Sequence, residues 1–344
     1  MKLVIDGIIE NLQNGGGCTV YFDQILSFYQ KDNHKLNYIR YNNSYENITL
    51  NGNNTHVSHR TLRTQERWRD VNINEFVQNT IFHSTHYRLP VNKKQSKIIT
   101  TVHDFTYELF RSGPAQWMHT WQKNRAIRNS DLILCVSQNT ANDLMRFCPV
   151  SENKIRIVHN GVSEKYYPID NVIKTNEVLF VGARGGYKNF SMAVDALALS
   201  PSLVLSIVGG GQLKSDEIEL LESKIPGRYQ HLGRVTDEEL NGIYNRVFCL
   251  LYPSLYEGFG IPVIEAMRSG CVVIAVNVSS IPEVAGNAAV LLDEPNPVII
   301  SQAFNDIQNT ALYHQLRNEG FIQAKKFSWE KCYNDTLSVY KEFL

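Results

Sequence analysis

No two of the six cysteines in this 344-residue sequence have the CxxC spacing that zinc and redox sites use. Several lie inside apolar runs such as LILCVS and FCLLY, where a reduced thiol packs as a small hydrophobic group. The sequence also contains no Asp-x-Asp motif and no histidines at metal-ligand spacings. These absences predict a protein without a disulfide framework or zinc site, and a reaction that uses no bound metal and no cofactor.

Long hydrophobic runs are also missing, since none approaches the roughly 18 apolar residues that a membrane-spanning helix needs. The segment MKLVIDG is too short, and is interrupted too early by Asp6, to be a signal peptide. We therefore predict a cytoplasmic protein in a reducing compartment.

Neither sign of charge is in excess, because 34 Lys and Arg residues balance 34 Asp and Glu residues. Residues 1–170 contain 20 basic against 15 acidic residues, and residues 171–344 contain 14 against 19. A nucleic-acid-binding protein would concentrate basic residues far more strongly, so nucleic acid is not predicted as a partner. The mildly basic first half favours an anionic acceptor or a membrane surface, or it reflects solvated faces alone.

Short apolar strands alternate with helices from residue 177 onward, for example EVLFVG, LVLSIVG, VFCLLY and VVIAV. This alternation predicts a parallel sheet covered by helices on both faces. The first half repeats the pattern less regularly, with strands such as KLVID, NTIFHS and KIITTVHD. We predict two doubly wound α/β domains, joined by a linker near residues 166–176.

Residues 41–75 interrupt the alternation in the first half. The Asn-rich stretch YNNSYENITLNGNN predicts a loop or a hairpin. It is followed by HRTLRTQERWRD, which contains four arginines and a tryptophan. This basic stretch faces a lipid-linked diphosphate acceptor or a membrane surface, or it is a solvated basic helix.

The segment EGFGIPVIEA places two glutamates around a glycine-rich turn at the carboxyl end of a strand. Gly258 and Gly260 permit a tight turn and a close approach of ligand to backbone, and Pro262 suits a first helical turn. A helix N-terminus favours phosphate. Glu257 precedes the turn, and Glu265, about one helical turn in, can accept hydrogen bonds from a ribose diol. The alternative is a loop glutamate and a helix-dipole glutamate.

The segment VGARGGYKN also lies between a strand and a helix, and it presents Arg184 and Lys188. Arginine binds phosphate oxygens in planar bidentate pairs, and lysine adds a compact charge. Two such cations suit a diphosphate, although neither a Walker A nor a GxGxxG pattern is present. A solvated pair of cations is the alternative.

Two segments in the first half of the sequence also follow predicted strands. NGGGC, at 14–18, follows the first strand, and its three glycines favour close approach to a ligand or to the facing domain. VHDF places His103 and Asp104 at the end of another strand, where ligands gather in doubly wound sheets. A purely structural histidine is the alternative.

Together these segments resemble the retaining glycosyltransferase family 4, which has the GT-B fold. VGARGGYKN resembles the family's diphosphate-binding segment, GRVTDEEL its base-binding loop, YPSLYEGFGIPVIEAM its E-x7-E signature, and FSWEKCYNDTLSVY its terminal helix. The resemblance implies two Rossmann-like domains with an interdomain cleft. The acceptor domain would be 1–170, with the helix 327–344 packing back on it, and the donor domain would be 171–326.

The resemblance also implies roles for individual residues. Arg184 and Lys188 would hold the donor diphosphate, Glu257 would contact the donor sugar, Glu265 the ribose, and His103 the reacting sugar. Tyr187 immediately precedes Lys188, where the family often has arginine. Roles in transfer are implied for His103, Arg184, Lys188 and Glu257, and donor binding for Gly16, Gly17, Asp104, Val235, Gly258, Phe259, Gly260 and Glu265.

The implied activity is transfer of a sugar, with retention, from a nucleotide-diphosphate sugar of the GDP-mannose type. The implied acceptor is a glycan or a polyprenyl-diphosphate-linked sugar in bacterial surface polysaccharide synthesis of the O-antigen kind, with peripheral contact at the inner face of the membrane. Two alternatives stay open. A sugar-nucleotide epimerase of the same fold would isomerise its substrate without an acceptor, and a non-catalytic nucleotide-sugar-binding protein would bind the donor without transfer.

Overall fold

The computed structural model describes residues 2–76 and 80–343. Asn79, the first residue of the predicted strand NTIFHS, lies outside this range. So do Met1 and Leu344, with which the predicted acceptor domain and the predicted last helix begin and end. The chain divides into two compact units. Unit 1 comprises the residues up to Gly161 together with the segment from Trp329, and unit 2 is Val162–Ser328.

Unit 1 is built on a seven-stranded sheet in the order β3-β2-β1-β4-β5-β6-β7. Every pair of neighbouring strands is parallel, and the chain turns outward in both directions from β1, which is the predicted doubly wound pattern. The strands are β1 (Lys2–Asp6), β2 (Leu36–Tyr41), β3 (Thr55–Arg60), β4 (Thr80–Ser84), β5 (Ser96–Val102), β6 (Leu132–Cys135) and β7 (Ile155–Ile157).

Helices connect these strands, because a parallel connection must cross from one end of the sheet to the other. The helices are α1 (Ile9–Leu12), α2 (Gly17–Lys31), α3 (Thr106–Phe110), α4 (Pro114–Asn129) and α5 (Gln138–Phe147).

Of the loop or hairpin predicted for the Asn-rich stretch, the structure has the loop. Strand β3 pairs in parallel with β2, so the Asn-rich residues between them form a crossing loop rather than a tight turn. The basic stretch is not a solvated basic helix. It contains one short 3-10 turn, Glu66–Trp68, whose glutamate is buried and bonded to Arg63 and Arg88.

Unit 2 has a six-stranded parallel sheet in the order β10-β9-β8-β11-β12-β13, again doubly wound as predicted. Its strands are β8 (Glu177–Val181), β9 (Val204–Val208), β10 (Tyr229–Gly233), β11 (Cys249–Tyr252), β12 (Val272–Val276) and β13 (Val290–Leu292). Its helices are α6 (Phe190–Ala198), α7 (Ser215–Lys224), α8 (Asp237–Arg246), α9 (Ile261–Arg268), α10 (Ile281–Ala285), α11 (Pro297–Asp306) and α12 (Thr310–Ala324).

The last helix, α13 (Trp329–Lys341), belongs to unit 1. It packs against α2, and its buried face includes Tyr333 and Tyr340. The Tyr340 hydroxyl lies 2.8 Å from His83 Nδ1, and the Tyr333 hydroxyl donates to Asp32. Burial of this apolar face ties the segment to the sheet of unit 1.

Among residues 2–76 and 80–343, no helix has the length and apolar character required to cross a bilayer. The same residues contain no group of three or more His, Cys, Asp or Glu side chains placed to hold a metal ion. All six cysteines are free, and five of them are buried.

Candidate active site

Lys188 stands at the carboxyl end of β8, in the turn that leads to α6. Gly182 and Gly186 have φ of +116° and +56°, conformations that favour glycine, so the chain can leave the strand sharply. The 3-10 turn Gly186–Lys188 then ends at Asn189, itself left-handed at φ +58°.

Lys188 pairs with Glu257, the first glutamate of the E-x7-E segment. Its Nζ lies 2.6 Å from Glu257 Oε1 and 3.4 Å from the Tyr252 hydroxyl. The two charged side chains are only 15% and 11% exposed. A pair so far removed from water is held more firmly than a surface ion pair, because solvent screens it less.

The turn that carries Glu257 is anchored from the end of β12. The Glu257 N–H donates to Ser279 Oγ at 2.9 Å, and the Ser280 hydroxyl donates to the carbonyls of Glu257 and Phe259, both at 2.9 Å. Ser279 has φ of +52°, which non-glycine residues rarely adopt. The position of Glu257 is therefore fixed by a neighbouring strand end as well as by its own turn.

The remainder of the turn is tightly packed. Gly260 has φ of +98°, and an added Cβ would lie 2.7 Å from Ile281 Cδ1, so only glycine fits. The Phe259 ring is buried and meets the ring of Phe327 edge-on at 5.6 Å. Gly258 stays partly exposed. Of these three predicted donor contacts, Phe259 has a side chain that packs in the core.

Glu265 lies in α9, where its Oε2 accepts a hydrogen bond from the Tyr244 hydroxyl at 3.1 Å. The Tyr244 ring in turn packs against Tyr166 at 6.0 Å. Desolvation by these neighbours raises the pKa of Glu265 to about 7, against the lowering effect of the Tyr244 and Tyr166 hydroxyls. The carboxyl group is thus poised to change protonation near neutral pH.

Arg184 is buried and occupied by other partners. Its guanidinium donates to the carbonyl oxygens of residues 209–212, at 2.7 to 3.3 Å, and to Glu217 Oε2 at 2.9 Å. We call these four oxygens the carbonyl cage. Gly210 has φ of +73°, and an added Cβ would lie 2.5 Å from Arg184 Nη1. The diphosphate contact implied for Arg184 stays a prediction that requires the carbonyl cage to open.

Val235 follows β10 at the same sheet edge, partly buried. It precedes a reciprocal capping box, in which the Thr236 N–H donates to Glu239 at 2.8 Å and the Glu239 N–H donates to Thr236 at 3.2 Å. The Gly209 N–H donates to the Gly233 carbonyl at 2.7 Å, joining this loop to the carbonyl cage. The strand order therefore sets Val235, the cage, Lys188 and Glu257 side by side.

The predicted residues of unit 1 lie at the carboxyl ends of β1 and β5. Gly16 caps α2, and Gly17 begins it. Asp104 accepts a hydrogen bond from the Thr106 N–H at 2.9 Å. His103 packs edge-on against Tyr21 at 5.1 Å, and desolvation lowers its pKa to about 4, so its ring is neutral at pH 7.

Two family models match this chain. That of the group 1 glycosyl transferases covers residues 168–323, and that of Glycosyltransferase Family 4 covers residues 29–166. Between them they span most of the sequence, and each falls on one of the doubly wound units. The chain belongs to glycosyltransferase family 4.

Several curated relatives of this glycosyltransferase carry mannosyltransferase names. The chain is 29% identical to O-antigen chain mannosyltransferase B of Escherichia coli over 287 residues. The aligned part covers 76% of this chain and 74% of the relative. Identity to O-antigen chain mannosyltransferase RfbU of Salmonella typhimurium is 27%, over 65% and 64% of the two chains. The chain spans only 38% of the longer E. coli serotype-specific mannosyltransferase WbdA, at 24% identity over 79% of its own length.

Solved structures share the fold at low sequence identity. A sucrose-phosphate synthase from Thermosynechococcus elongatus superimposes with a TM-score of 0.78 at 17% identity, covering 99% of this chain and 98% of that one. WaaG, a glycosyltransferase involved in lipopolysaccharide biosynthesis, gives 0.73 at 14% identity over 99% of both chains. The glycosyltransferase therefore has the GT-B fold, with two Rossmann-like units.

Several residues around these groups were missed in the sequence. Tyr252, Ser279 and Ser280 lie at the carboxyl ends of β11 and β12, so the rule that ligands gather at strand ends could have found them. Lys123, in α4, is fully buried and donates to the Asp104 carbonyl at 3.0 Å and to Glu108 at 2.6 Å. No local signal distinguishes it from a surface lysine.

Proposed function

We propose that this glycosyltransferase moves a sugar from a nucleoside-diphosphate sugar to a glycan or a lipid-linked acceptor, with retention of anomeric configuration. The observation that carries the proposal is the Lys188–Glu257 pair at the carboxyl edge of the unit 2 sheet. It combines a cation for the diphosphate with a carboxylate for sugar hydroxyls. Glu265, in the helix that follows, supplies a second carboxylate for the ribose.

The order of groups along the edge matches the order of groups in the donor. The loop at Val235 would meet the base, Lys188 the diphosphate, and Glu257 the sugar, because they follow β10, β8 and β11 respectively. Gly258, which is partly exposed, leaves room for close approach of the sugar and phosphate to the backbone. This order of groups along the sheet supports a role for unit 2 as the donor-binding unit.

In the proposed transfer the bond from the sugar anomeric carbon to the diphosphate oxygen breaks, and the acceptor oxygen bonds to that carbon on the same face. The leaving diphosphate takes the acceptor proton, so no side-chain nucleophile is needed. Lys188 and the N-terminus of α9 stabilise the negative charge that collects on the diphosphate. His103, neutral at pH 7, would hydrogen-bond the reacting sugar, and Gly16 and Gly17 would let the donor approach α2.

The donor we propose is of the GDP-mannose type, and the setting is surface polysaccharide synthesis of the O-antigen kind. The mannosyltransferase names of the curated relatives support both statements. We place the enzyme in the cytoplasm, with peripheral contact at the inner face of the membrane. One solvent-facing stripe of α4 supports that contact, since Trp117 and Trp121 are exposed there together with Arg128.

Incubation with a panel of nucleotide sugars tests the proposal directly. We expect one donor to raise the melting temperature and to be slowly hydrolysed, because binding to the folded state alone stabilises it. Transfer to a glycan acceptor should then keep the anomeric configuration by NMR. A panel in which no nucleotide sugar shifts the melting temperature would refute the donor site.

Binding of the donor should release a proton near pH 7 if Glu265 holds the ribose. Ribose hydroxyls donate to the ionised carboxylate, and the pKa of Glu265 is raised to about 7 in the free protein by desolvation. Affinity for a nucleotide sugar should therefore rise with pH up to about 7 and level off above it. The raised pKa also affects stability. Between about pH 4.5 and 7 the Glu265 carboxyl group is protonated in the folded protein but ionised in the unfolded chain, so the free energy of unfolding should fall as the pH rises through that window.

Calorimetry in two buffers of different ionisation enthalpy measures the released proton. A nucleotide sugar is the suitable ligand because its doubly esterified diphosphate does not titrate in this range. Glu265→Gln should abolish the release, and Glu219→Gln, at an exposed position of α7, should not change it. Proton release that persists in Glu265→Gln would assign it to another group.

A further inference from the structure

Unit 1 contains a group of polar side chains that the proposed donor chemistry does not use. Arg67 belongs to the 3-10 turn Glu66–Trp68, His86 follows the carboxyl end of β4, and His119 lies on the inner face of α4. With Tyr107 and Gln122 they form what we call the Arg67 cluster. It lies near the sheet edge at which ligands gather in doubly wound folds.

The cluster is held together by short contacts. Arg67 Nη2 donates to His86 Nε2 at 3.0 Å, which fixes that nitrogen as the acceptor, and the Gln122 side chain donates to the Arg67 carbonyl at 2.6 Å. The rings of His86 and His119 lie 5.8 Å apart. Tyr107 stacks on His119 at 4.0 Å and is partly exposed, so one side of the cluster reaches solvent.

Three buried polar atoms of the cluster have no hydrogen-bond partner among the residues that the structure describes. They are Arg67 Nε, His119 Nδ1 and Gln122 Oε1. His119 and Gln122 are only 7% and 2% exposed. Folded proteins satisfy nearly all such atoms, and two of these three, Arg67 Nε and His119 Nδ1, can donate to an anion, whereas Gln122 Oε1 can only accept.

The charge of the cluster is also uncompensated. Within residues 2–76 and 80–343, no carboxylate lies within ion-pair distance of Arg67. The nearest acidic residues in the sequence are engaged elsewhere, Glu66 with Arg63 and Arg88, and Asp70 with Arg125. A partly buried cation without a counter-ion is costly, and an anionic ligand removes that cost.

The two histidines do not add to this positive charge. Desolvation lowers the pKa of His119 to about 4, and burial with the nearby Arg67 holds the pKa of His86 well below its usual value. At neutral pH both imidazole rings are uncharged, so they can contribute hydrogen bonds to a ligand but no positive charge. One guanidinium thus carries the charge of the cluster, and planar guanidinium groups fit phosphate oxygens well.

We propose that the Arg67 cluster binds a phosphate group, with Arg67 as the charged contact and the histidines as polar contacts. This site rests on the proposed function in one respect, since the diphosphate of a lipid-linked acceptor is the phosphate it would hold. It also gives the basic stretch 60–69 a defined residue for the acceptor contact. Of the other arginines of the stretch, Arg60 and Arg63 are paired with carboxylates, and Arg69 is exposed.

Titration of the full chain with pyrophosphate tests the site. Lys188→Ala is the background, so that the proposed donor site contributes little to binding. Arg67→Gln should then weaken pyrophosphate binding by about tenfold or more, as expected for loss of a charged hydrogen bond. Arg69→Gln is the matched control, because Arg69 is an exposed arginine of the same stretch, and it should change affinity by less than about threefold.

Equal losses in the two arginine variants would show a diffuse positive surface and overturn the site. A Lys188→Ala protein that binds no pyrophosphate would overturn it as well. Should Arg67→Gln fail to fold by thermal melting, His119→Gln replaces it, and a clear loss of affinity is again expected. Arg67→Lys, which keeps the charge but not the planar fork, should give an intermediate affinity.

Vesicles that contain phosphatidylglycerol distinguish two sources of the phosphate. Loss of vesicle binding in Arg67→Gln would identify a lipid headgroup, and unchanged vesicle binding with weakened pyrophosphate binding would identify the acceptor. Binding of nucleotide sugars to Arg67→Gln is measured in parallel with Lys188 intact. If the donor binds while pyrophosphate affinity is insensitive to Arg67, this site fails and the proposed function stands. If no donor binds the wild type, the proposed function fails independently.

Discussion

Replacing Lys188 with alanine is expected to weaken binding of the free nucleoside diphosphate by about 1.5–3 kcal/mol, which is roughly tenfold to more than a hundredfold. The loss follows from removal of one charged hydrogen bond to the diphosphate. Turnover should fall further, because the same ammonium group balances the charge that develops on the leaving group. Calorimetry with nucleoside diphosphate and single-turnover kinetics measure the two effects separately.

Glu257→Gln should act on the same ligand in the opposite direction. In the free protein Glu257 holds Lys188 at 2.6 Å, so the diphosphate must compete with a carboxylate for the lysine. The amide removes that competitor, and we expect the nucleoside diphosphate to bind more tightly while turnover drops. Opposite signs in the two variants would be difficult to obtain from general destabilisation.

Lys224→Ala is the control for both variants, because Lys224 pairs with Asp195 at 2.9 Å in the same unit, at the C-terminal end of α7. It should leave nucleotide affinity unchanged. Melting temperatures of all three variants identify any loss of folding. If Glu257→Gln weakens nucleoside diphosphate as much as Lys188→Ala does, Glu257 contacts the diphosphate side of the donor and its assignment to the sugar is wrong.

Arg184→Gln should lower the free energy of unfolding by about 3–5 kcal/mol, the usual cost of removing one partner from a buried charged network. The substitution leaves the carbonyl cage without its donor and Glu217 without its cation. Chemical denaturation measures the loss. Nucleoside diphosphate should still bind, because the guanidinium is already engaged by residues 209–212.

Arg228→Gln is a matched control for this variant. Arg228 also donates to three backbone carbonyls in unit 2, those of Leu197, Ser200 and Leu203, but these lie at the opposite ends of the strands. It should destabilise the protein without touching the nucleotide site. If Arg184→Gln is stable yet loses nucleotide affinity as strongly as Lys188→Ala, then Arg184 binds the diphosphate after all.

Much of unit 2 could be predicted because its strands are buried on both faces and read as uninterrupted apolar runs. The capping box at Thr236 and Glu239 likewise has a local signature. Strand β3 lacks both signals. It is an edge strand, partly exposed, with polar and charged residues in THVSHR, so its sequence does not predict a strand.

The contents of the site were less predictable than its location. The E-x7-E segment gave the positions of Glu257 and Glu265, but nothing local shows that Lys188, 69 residues earlier, reaches Glu257. The hydrogen-bond partners of Arg184 could not be predicted for a similar reason. Its position after a strand suggests phosphate, whereas the direction of its side chain depends on Gly209 to Gly211, all of which have positive φ. Such long-range pairings are set by the fold and not by neighbouring residues.

The helix α13 also imposes an order on the synthesis of this chain. Unit 2 is continuous in sequence, from Val162 to Ser328, and all of its strands emerge before α13 does. Unit 1 must wait for that helix to cover α2 and His83, so its apolar face remains open while unit 2 is translated, on the order of ten to thirty seconds. The half of the protein made first is therefore completed last, and during that interval it is the part most in need of a chaperone.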